Sequence, residues 1–412
     1  MDEKSLKPQL RFKGFSDAWE QRNITELGKI FIGLVTTMTK HYTTKGTLLI
    51  RNSDIKDNKF EFGSNPIYLE KHFAELNASR MHEIGDVITV HTGDVGTSAV
   101  ISKKEDKSIG FATIVTRPYQ EKIHSEYLSA FLNTDKHKKF AVQISTGDGR
   151  TNYNLGDYYN LNVPVPSLEE QDKISEFIKN INNLITLHQR KLDKLGNMKK
   201  ALLEKMFPKN DSNVPEIRFK GFSDAWEQRK LGEYGEFYYG KSAPKWSVSE
   251  DAPTPCVRYG ELYTKFGCKI DTIYSYTNIS PDKLVFSKGT EVLIPRVGED
   301  PMDYNHCTWL SLRGVAIGEM ISVYNTNQNP LFAAIMFNAT LQEEFAKRVE
   351  GGSVTNLYYE KLKNIDVSFP THVEQTKIGT FFSNIDNLIT LHQRKLEKLK
   401  NIKKSCLEKM FV

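Results

Sequence analysis

The chain has 412 residues, 39% of them apolar and 26% charged, with a formal net charge of +5. Such a composition supports packed cores, two to four at roughly 100–200 residues each, and excludes a disordered tail. No window approaches the ~18 continuous apolar residues of a membrane span, and the opening MDEKSLKPQL is too polar for a signal peptide. Cys256, Cys268, Cys307 and Cys406 form no CxxC pair, which argues against a disulfide scaffold or structural zinc and for a reducing, cytoplasmic compartment. A pI near 8.7 lies below the value of about 9 at which charge alone marks a nucleic-acid-binding domain.

The first element in chain order is an arm, Pro8–Arg22 (PQLRFKGFSDAWEQR), and it is written again at Pro215–Arg229 (PEIRFKGFSDAWEQR). Residues 23–167 then form an insert with short β-like runs at Leu48–Ile50, Val87–Val90 and Ala112–Thr116. Leu168–Phe207 follows and recurs as His372–Phe411, with about 27 of the 40 positions identical, including the run NLITLHQRKL. Between the copies stands a second insert, residues 230–371, with similar runs at Val292–Ile294 and Ala333–Phe337. The inserts share only a faint echo near their ends, where Thr151-Asn152 aligns with Thr355-Asn356.

The repeated 40-residue segment predicts a long helix. Its apolar seam runs Ile174, Ile178, Ile181, Ile185, His188, Leu192, Leu195, Lys199, Leu202, Met206, in alternating steps of four and three. The copy runs Ile378, Phe382, Ile385, Ile389, His392, Leu396, Leu399, Lys403, Cys406, Met410. Heptad spacing of this kind is that of a coiled coil, and the nearest partner for each helix is the other copy. Ser167 and Thr371 are candidate N-caps, with Glu170 and Glu374 three residues on as in a capping box, and Pro208 stops the first helix. His188 and His392 lie on the seam without a carboxylate one turn away, which argues against a metal and for residues that set register or meet another subunit. If both inserts grip one duplex, its two-fold symmetry favours an antiparallel coil.

A duplicated frame carrying two dissimilar inserts separates a shared mechanical task from two different recognition tasks. In the first insert, Lys40-His41-Tyr42, Arg51-Asn52-Ser53, His91-Thr92 and Arg150-Thr151-Asn152 gather hydrogen-bonding side chains beside glycines. In the second, Lys241-Ser242, Arg258-Tyr259, Arg296, Ser353 and Thr355-Asn356 do the same. Arg reads guanine bidentately, Asn and Gln read adenine, and small hydroxyls and backbone N–H groups hold phosphates. These residues are therefore the candidate DNA contacts. The inserts are nearly neutral (+1 for 23–167, −3 for 230–371), whereas the two helix segments together carry +6. Inserts this neutral cannot bind DNA strongly by counterion release alone, so either their basic residues are concentrated on one face or another basic subunit supplies much of the affinity.

Catalytic motifs are missing where an enzyme would need them. Asn329-Pro330-Leu331-Phe332 lacks the second proline of a base-methyltransferase corner and has no glycine-rich cofactor loop. Pro281-Asp282 is followed by Glu291-Val292-Leu293, which is not the (D/E)xK of a nuclease, and there is no Walker A, GxSxG or HExxH. A sequence-blind coiled-coil scaffold is the alternative to a DNA-reading subunit. A self-sufficient methyltransferase would have to bind S-adenosylmethionine by itself.

Over essentially its whole length the chain resembles the DNA sequence-specificity subunit of type I restriction–modification systems. The motifs that carry this are RFKGFSDAWEQR before each insert, NLGDYYNLNVPVPSLEEQDKI closing the first and NLYYEKLKNIDVSFPTHVEQTKI closing the second. The second closing motif departs from the VPxPxLEEQ pattern at Ser368-Phe369 and His372-Val373. The resemblance implies an α+β fold with two mixed target-recognition domains, each followed by a long helix. The helices pair as an antiparallel coiled coil in a pseudo-two-fold internal repeat. It implies an arm at 1–22, recognition domains at 23–167 and 230–371, coil helices at 168–207 and 372–412, and a linker with the repeated arm at 208–229. It further implies double-stranded DNA, two modification subunits and two restriction subunits as partners. S-adenosylmethionine, ATP and magnesium would then be held by the partners, and no catalytic residue by this chain.

Overall fold

The computed structural model describes residues 6–145, 151–209 and 212–411. They divide into two compact units, one of residues 1–188 with 395–412 and the other of 189–394. The first unit contains β1 (Glu20–Asn23), β2 (Gly28–Ile32), β3 (Thr47–Arg51), β4 (Val87–Thr89), β5 (Ser98–Val100), β6 (Ile109–Phe111), β7 (Ile114–Pro118), α1 (Ser125–Leu132), α2 (Asp135–Ile144), β8 (Asn162–Val165) and the start of α3 (Leu168–Lys205). Its main sheet is antiparallel in the order β2-β7-β4-β5, with Ile114 opposite both Ile32 and Thr89. Beside it β3 runs parallel to β6, Leu49 opposite Ile109. Alternate residues of the sheet serve two cores, as a period of two requires. Val87 and Ile114 pack with Tyr127, Leu128 and Phe131 of α1, while Ile88 and Val115 pack with Ile50 and Ile55.

The second unit has β9 (Glu227–Lys230), β10 (Gly235–Tyr239), β11 (Thr254–Val257), β12 (Glu291–Pro295), β13 (Thr308–Leu310), β14 (Arg313–Ile317), β15 (Ile321–Thr326), α4 (Pro330–Thr340), β16 (Asp366–Phe369) and the start of α5 (His372–Met410). Its main sheet follows β10-β15-β12-β13, extended beyond β13 by the short parallel strand Lys269–Ile270, and β11 runs parallel to β14. Apart from that edge strand this is the strand order of the first unit, although the inserts share almost no sequence. Two details repeat at the level of side chains. Asn133 brackets the backbone N–H and C=O of Ser98 at 3.0 and 2.8 Å, and Asn338 does the same to Cys307 at 2.7 and 2.8 Å. Gly33 and Gly240 follow β2 and β10, where an added Cβ would collide with the carbonyl oxygens of Gly110 and Gly318.

The expectation of a strand at Ala333–Phe337 is corrected: the segment is helical, within α4. The Asn329 side chain accepts from the Phe332 N–H at 3.0 Å, Pro330 opens the first turn, and every residue from Phe332 to Phe337 is buried. An apolar run buried on all sides carries no periodicity, so only its capping residues distinguish helix from strand.

The two arms are fixed to the long helices in the same way. Arg11 grips Glu170 through two hydrogen bonds of 2.9 and 2.7 Å, and Arg218 grips Glu374 at 2.7 and 2.8 Å. Both carboxylates are buried, at 2% and 0% exposure. Phe12 stands edge-on to Phe177 at 5.9 Å and Phe219 to Phe381 at 5.6 Å. Lys173 covers Phe15 and Lys377 covers Phe222, each at 4.9 Å. The next residue of each helix secures the domain: Gln171 accepts from the His124 N–H, and Gln375 from the Asn329 N–H. Strand pairs β1–β8 and β9–β16 close each joint, Glu20 opposite Val165 and Glu227 opposite Phe369. The capping-box expectation is thereby modified. The Ser167 hydroxyl accepts from the Glu170 N–H at 3.3 Å, but both glutamate side chains turn away to their arginines.

Within each unit the two long helices run antiparallel. In the first, Ile174 and Ile178 near the start of α3 share a core with Leu407, Met410 and Phe411 at the end of α5. In the second, Ile378, Phe382 and Ile385 share a core with Met206 and Phe207. The seam is buried at Ile181 and Leu396 and half-buried at Ile185, His188, Leu192, Leu195, Ile389, His392 and Leu399. Near the end of α5 the buried position has moved from Cys406 to Leu407, the drift expected of a helix with 3.6 residues per turn read against a 3.5 repeat. Among the described residues no helix is long and apolar enough to cross a membrane.

Glu374→Ala is expected to destabilise the second unit by about 3–5 kcal/mol, because it leaves the Arg218 guanidinium in a largely buried site without its carboxylate. An Arg218→Met, Glu374→Met double variant should recover most of that loss. Urea unfolding of the three proteins checks both statements, and equal losses in the single and double variants would contradict them.

Candidate nucleic-acid interface

In the first unit the chain leaves β3 at Arg51, β4 at His91 and the connection into β8 at Thr151-Asn152, and hydrogen bonds draw these three exits together. The Asn52 side-chain Oδ1 accepts from the His91 N–H at 2.8 Å, while its Nδ2 donates to the backbone carbonyls of Phe111 and Ala112. His91 Nδ1 lies 2.7 Å from the Thr92 hydroxyl, which donates to Asn152 at 2.8 Å. The Tyr153 N–H donates to the His91 carbonyl, and Thr92 and Asn152 form an isolated β-bridge. Asn52 is thus occupied as a strut between loops. Ser53 stays exposed beside it.

Arg51 is half-buried and held in plane by Asp54, which accepts from Nε at 3.0 Å, from Nη2 at 2.8 Å and from the backbone N–H at 2.9 Å. Those hydrogen bonds raise the guanidinium pKa further. Lys40 and Tyr42 are exposed on a small ribbon where Tyr42 and Thr47 both pair with Leu69. His41 stacks on Phe73 at 4.1 Å and meets Glu70 at 3.0 Å. Arg150 lies outside the described residues.

The second unit repeats the arrangement with other side chains. The Leu357 N–H donates to the Arg296 carbonyl, as Tyr153 does to His91, and Val297 pairs with Asn356 as Thr92 does with Asn152. Arg296 therefore occupies the place of His91. Its guanidinium lies 4.7 Å from the ring of Tyr239 and 5.4 Å from that of Tyr358. Arg258 ends β11 as Arg51 ends β3, and Glu261, three residues on, accepts from its backbone N–H at 2.9 Å. Tyr259, Lys241 and Ser353 are exposed, and Ser242 is half-buried with a φ of 66°.

Thr355 is a correction among the candidate contacts. It is buried at 5% exposure, and its hydroxyl is used by Gly298 and Tyr304, so it braces the ribbon from inside. Sequence reasoning also passed over Trp246, a residue 80% exposed on the turn after Pro244. It missed the Tyr239–Arg296–Tyr358 stack as well. The Arg-x-x-acid spacing shared by Arg51/Asp54 and Arg258/Glu261 was a readable signal. Trp246 had none, because exposure is a tertiary property. Among the described residues no cluster of three or more His, Cys, Asp and Glu could hold a metal.

The model of the type I restriction modification DNA specificity domain matches residues 16–197 and again 223–401. The chain belongs to this family. A putative type I restriction enzyme MjaX specificity subunit of Methanocaldococcus jannaschii is 23% identical over 403 residues, covering 94% of this chain and 92% of the relative. The MjaVIII specificity subunit of the same organism is 22% identical over 338 residues, covering 78% and 77%. The crystal structure of a type I restriction–modification S subunit from M. genitalium superposes with a TM-score of 0.60 at 14% identity, covering 98% of this chain and 99% of that one. The duplicated specificity domain thus corresponds to the duplicated frame, and the loop clusters of the two units are equivalent positions within it.

One buried histidine supports the loops of the first specificity domain. His137 donates from Nδ1 to the Leu132 carbonyl at 2.6 Å, and its Nε2 faces at 3.4 Å the hydroxyl of Tyr153, whose backbone N–H donates to the His91 carbonyl. Burial lowers the pKa of His137 to about 4, and that of His82 likewise to about 4. Above pH 6.5 both are neutral folded or unfolded and contribute nothing. As pH falls from 6.5 to 4 the unfolded chain takes up protons that the folded unit refuses, so stability drops, by about 2 kcal/mol per histidine at pH 5. A urea midpoint for peptides covering residues 87–101, read by hydrogen exchange at pH 7 and pH 5, should fall accordingly. His82→Gln with His137→Gln should flatten the pH dependence.

Proposed function

We propose that the chain is the non-catalytic sequence-reading subunit of a type I restriction–modification complex, with each unit reading one half of a bipartite, asymmetric DNA site. The observation that carries this is the pairing of one backbone frame with different side chains at equivalent positions, His91 against Arg296 and Asn52 against Tyr259. A frame that holds a loop in place while its side chains change suits a reader of two different half-sites. In this reading the antiparallel helices act as a ruler that fixes the unread spacer, with the half-sites on one face of the duplex about one helical turn (~10 bp) apart.

Partner chemistry follows from the same helices. Leu184 and Leu187 in the first unit are 44% and 47% exposed, and Leu388 and Leu391 in the second are 46% and 45% exposed. Spaced three apart, each pair lines one helix face and suits a partner helix. Two equal faces fit two modification subunits carrying out adenine-N6 methylation. Two restriction subunits would add ATP-driven translocation and cleavage. S-adenosylmethionine, ATP and magnesium then reside on those partners, and the assembly works in the cytoplasm.

Exchanging residues 23–167 for the insert of another family member should change one half-site in the methylated motif and leave the other intact. Modified-base sequencing of DNA from a methylation-free host expressing the complex reads the result. A change in both halves or in neither would overturn modular reading, and methylation without any motif would favour the scaffold. Inserting one or two helical turns within 190–200, matched in the other helix, should lengthen the spacer with both half-sites kept. Unaltered spacing in an active complex would overturn the ruler.

A further inference from the structure

Arg296 differs from the other cationic candidates in how it is held. The guanidinium lies 4.7 Å from the ring of Tyr239 and 5.4 Å from that of Tyr358, and Tyr239 is itself fixed by a 2.8 Å hydrogen bond from its hydroxyl to Glu360 and by the ring of Tyr359 at 4.4 Å. Among the described residues Nε is buried without a hydrogen-bond partner, and no carboxylate forms an ion pair with the side chain. The backbone on either side is locked, since the Arg296 N–H donates to the Met320 carbonyl and its own carbonyl accepts from the Leu357 N–H. Beside it lies the ribbon of Val297–Gly298, Thr355–Asn356 and Glu350–Gly351, whose turn carries the exposed Ser353.

A cation used only for charge needs none of this. Phosphate contacts tolerate flexible side chains, because the charge is spread over several oxygens and its direction matters little. A guanidinium packed against two rings, with Nε occluded, offers its terminal fork in a restricted orientation. That geometry matches two acceptors lying side by side in a plane, which on a base edge are guanine O6 and N7 in the major groove. Stacking on the tyrosines also removes the entropy cost of ordering the side chain on binding.

Resting on the sequence-reading role proposed above, we infer that Arg296 reads an obligatory guanine in the half-site of the second unit, its plane set by Tyr239 and Tyr358. The equivalent position of the first unit, His91, cannot form that fork, so the two half-sites differ at the corresponding base pair.

The test uses the full chain assembled with its modification subunits. The wild-type complex should give a bipartite motif with one invariant guanine in the half-site that follows the second insert when inserts are exchanged. Absence of any bipartite motif in the wild type would refute the sequence-reading role itself, before any variant is made. Arg296→Gln and Arg296→Lys should each relax that guanine alone and lower methylation of the original site by roughly 10- to 100-fold. The other half-site and the spacer should stay unchanged. Duplexes carrying 7-deazaguanine at that position should bind the wild-type complex 5- to 50-fold more weakly, an approximate range for one lost acceptor, and bind the Arg296→Gln complex with no further loss. Uniform weakening across all sequences, with Lys as effective as Arg, would assign the residue to a phosphate and overturn the inference. So would an unchanged motif. If Arg296→Gln failed to assemble, Tyr358→Leu, which removes one face of the stack, must relax the same guanine, and an unchanged motif there would again be fatal.

Discussion

Everything that varies in this chain hangs on a buried carboxylate that does not. Glu170 and Glu374 sit in the first turn of the two long helices, each inside the bidentate grip of an arm arginine 159 or 156 residues earlier in the chain. A charge so placed is costly to bury and tolerates only an exact partner. The helix N-terminus lowers that cost by favouring the negative side chain. Because the arm precedes the domain and the helix follows it, the ion pair closes the domain into a loop with fixed ends, and the residues between can change without altering how the domain is mounted. This accounts physically for a sequence in which the mounts are nearly identical and the contents are not. The two mounts still differ in one respect. Trp19 donates from its indole nitrogen to Glu170 at 3.0 Å, whereas the equivalent nitrogen of Trp226 is buried without a partner among the described residues.

The repeated arms and helices were legible because side chains make them. Arg11, Phe12, Phe15 and Trp19 each find a partner on or beside the helix, so any change in one is felt by another. The equivalence of the inserts was not legible, for the opposite reason. The hydrogen bonds joining Tyr153 to His91 and Leu357 to Arg296 run between backbones, which place no demand on side-chain identity. Strands such as Val87–Thr89 and Glu291–Pro295 could be found from their apolar runs, but which strand lies beside which could not. Of the candidate contact residues, Asn52 and Thr355 carried the right chemistry and turn out to be struts. Composition cannot separate a polar group that reads from one that holds a loop in place.

The helix pair shows the same division between shared frame and local difference. In the second unit seam residue Lys199 meets Asp386 at 2.5 Å. Its counterpart in the first unit, Lys403, faces a chain in which the position equivalent to Asp386 is Asn182, and burial lowers the lysine pKa. The opposite charge felt by Lys403 is Asp57, which lies outside the helices and works against that lowering. Polar residues at such positions fix register at a cost in stability, and the two copies of the seam meet that cost with different partners.

Charge explains why a reader of this kind suits work inside a larger assembly. On the proposed reading, inserts with net charges near zero gain little from counterion release, and their contribution is mainly discrimination. Discrimination of this type depends on directed groups, and the directed groups here are held by other side chains: Arg51 by Asp54, Arg296 by two tyrosines. Each such brace spends part of the available charge or donor capacity on orientation, which lowers raw affinity further. A subunit built so on its own would search DNA weakly. On the proposed reading, partners docked on the exposed leucines of the helices supply the missing attraction, and sequence choice and chemistry then become available only together.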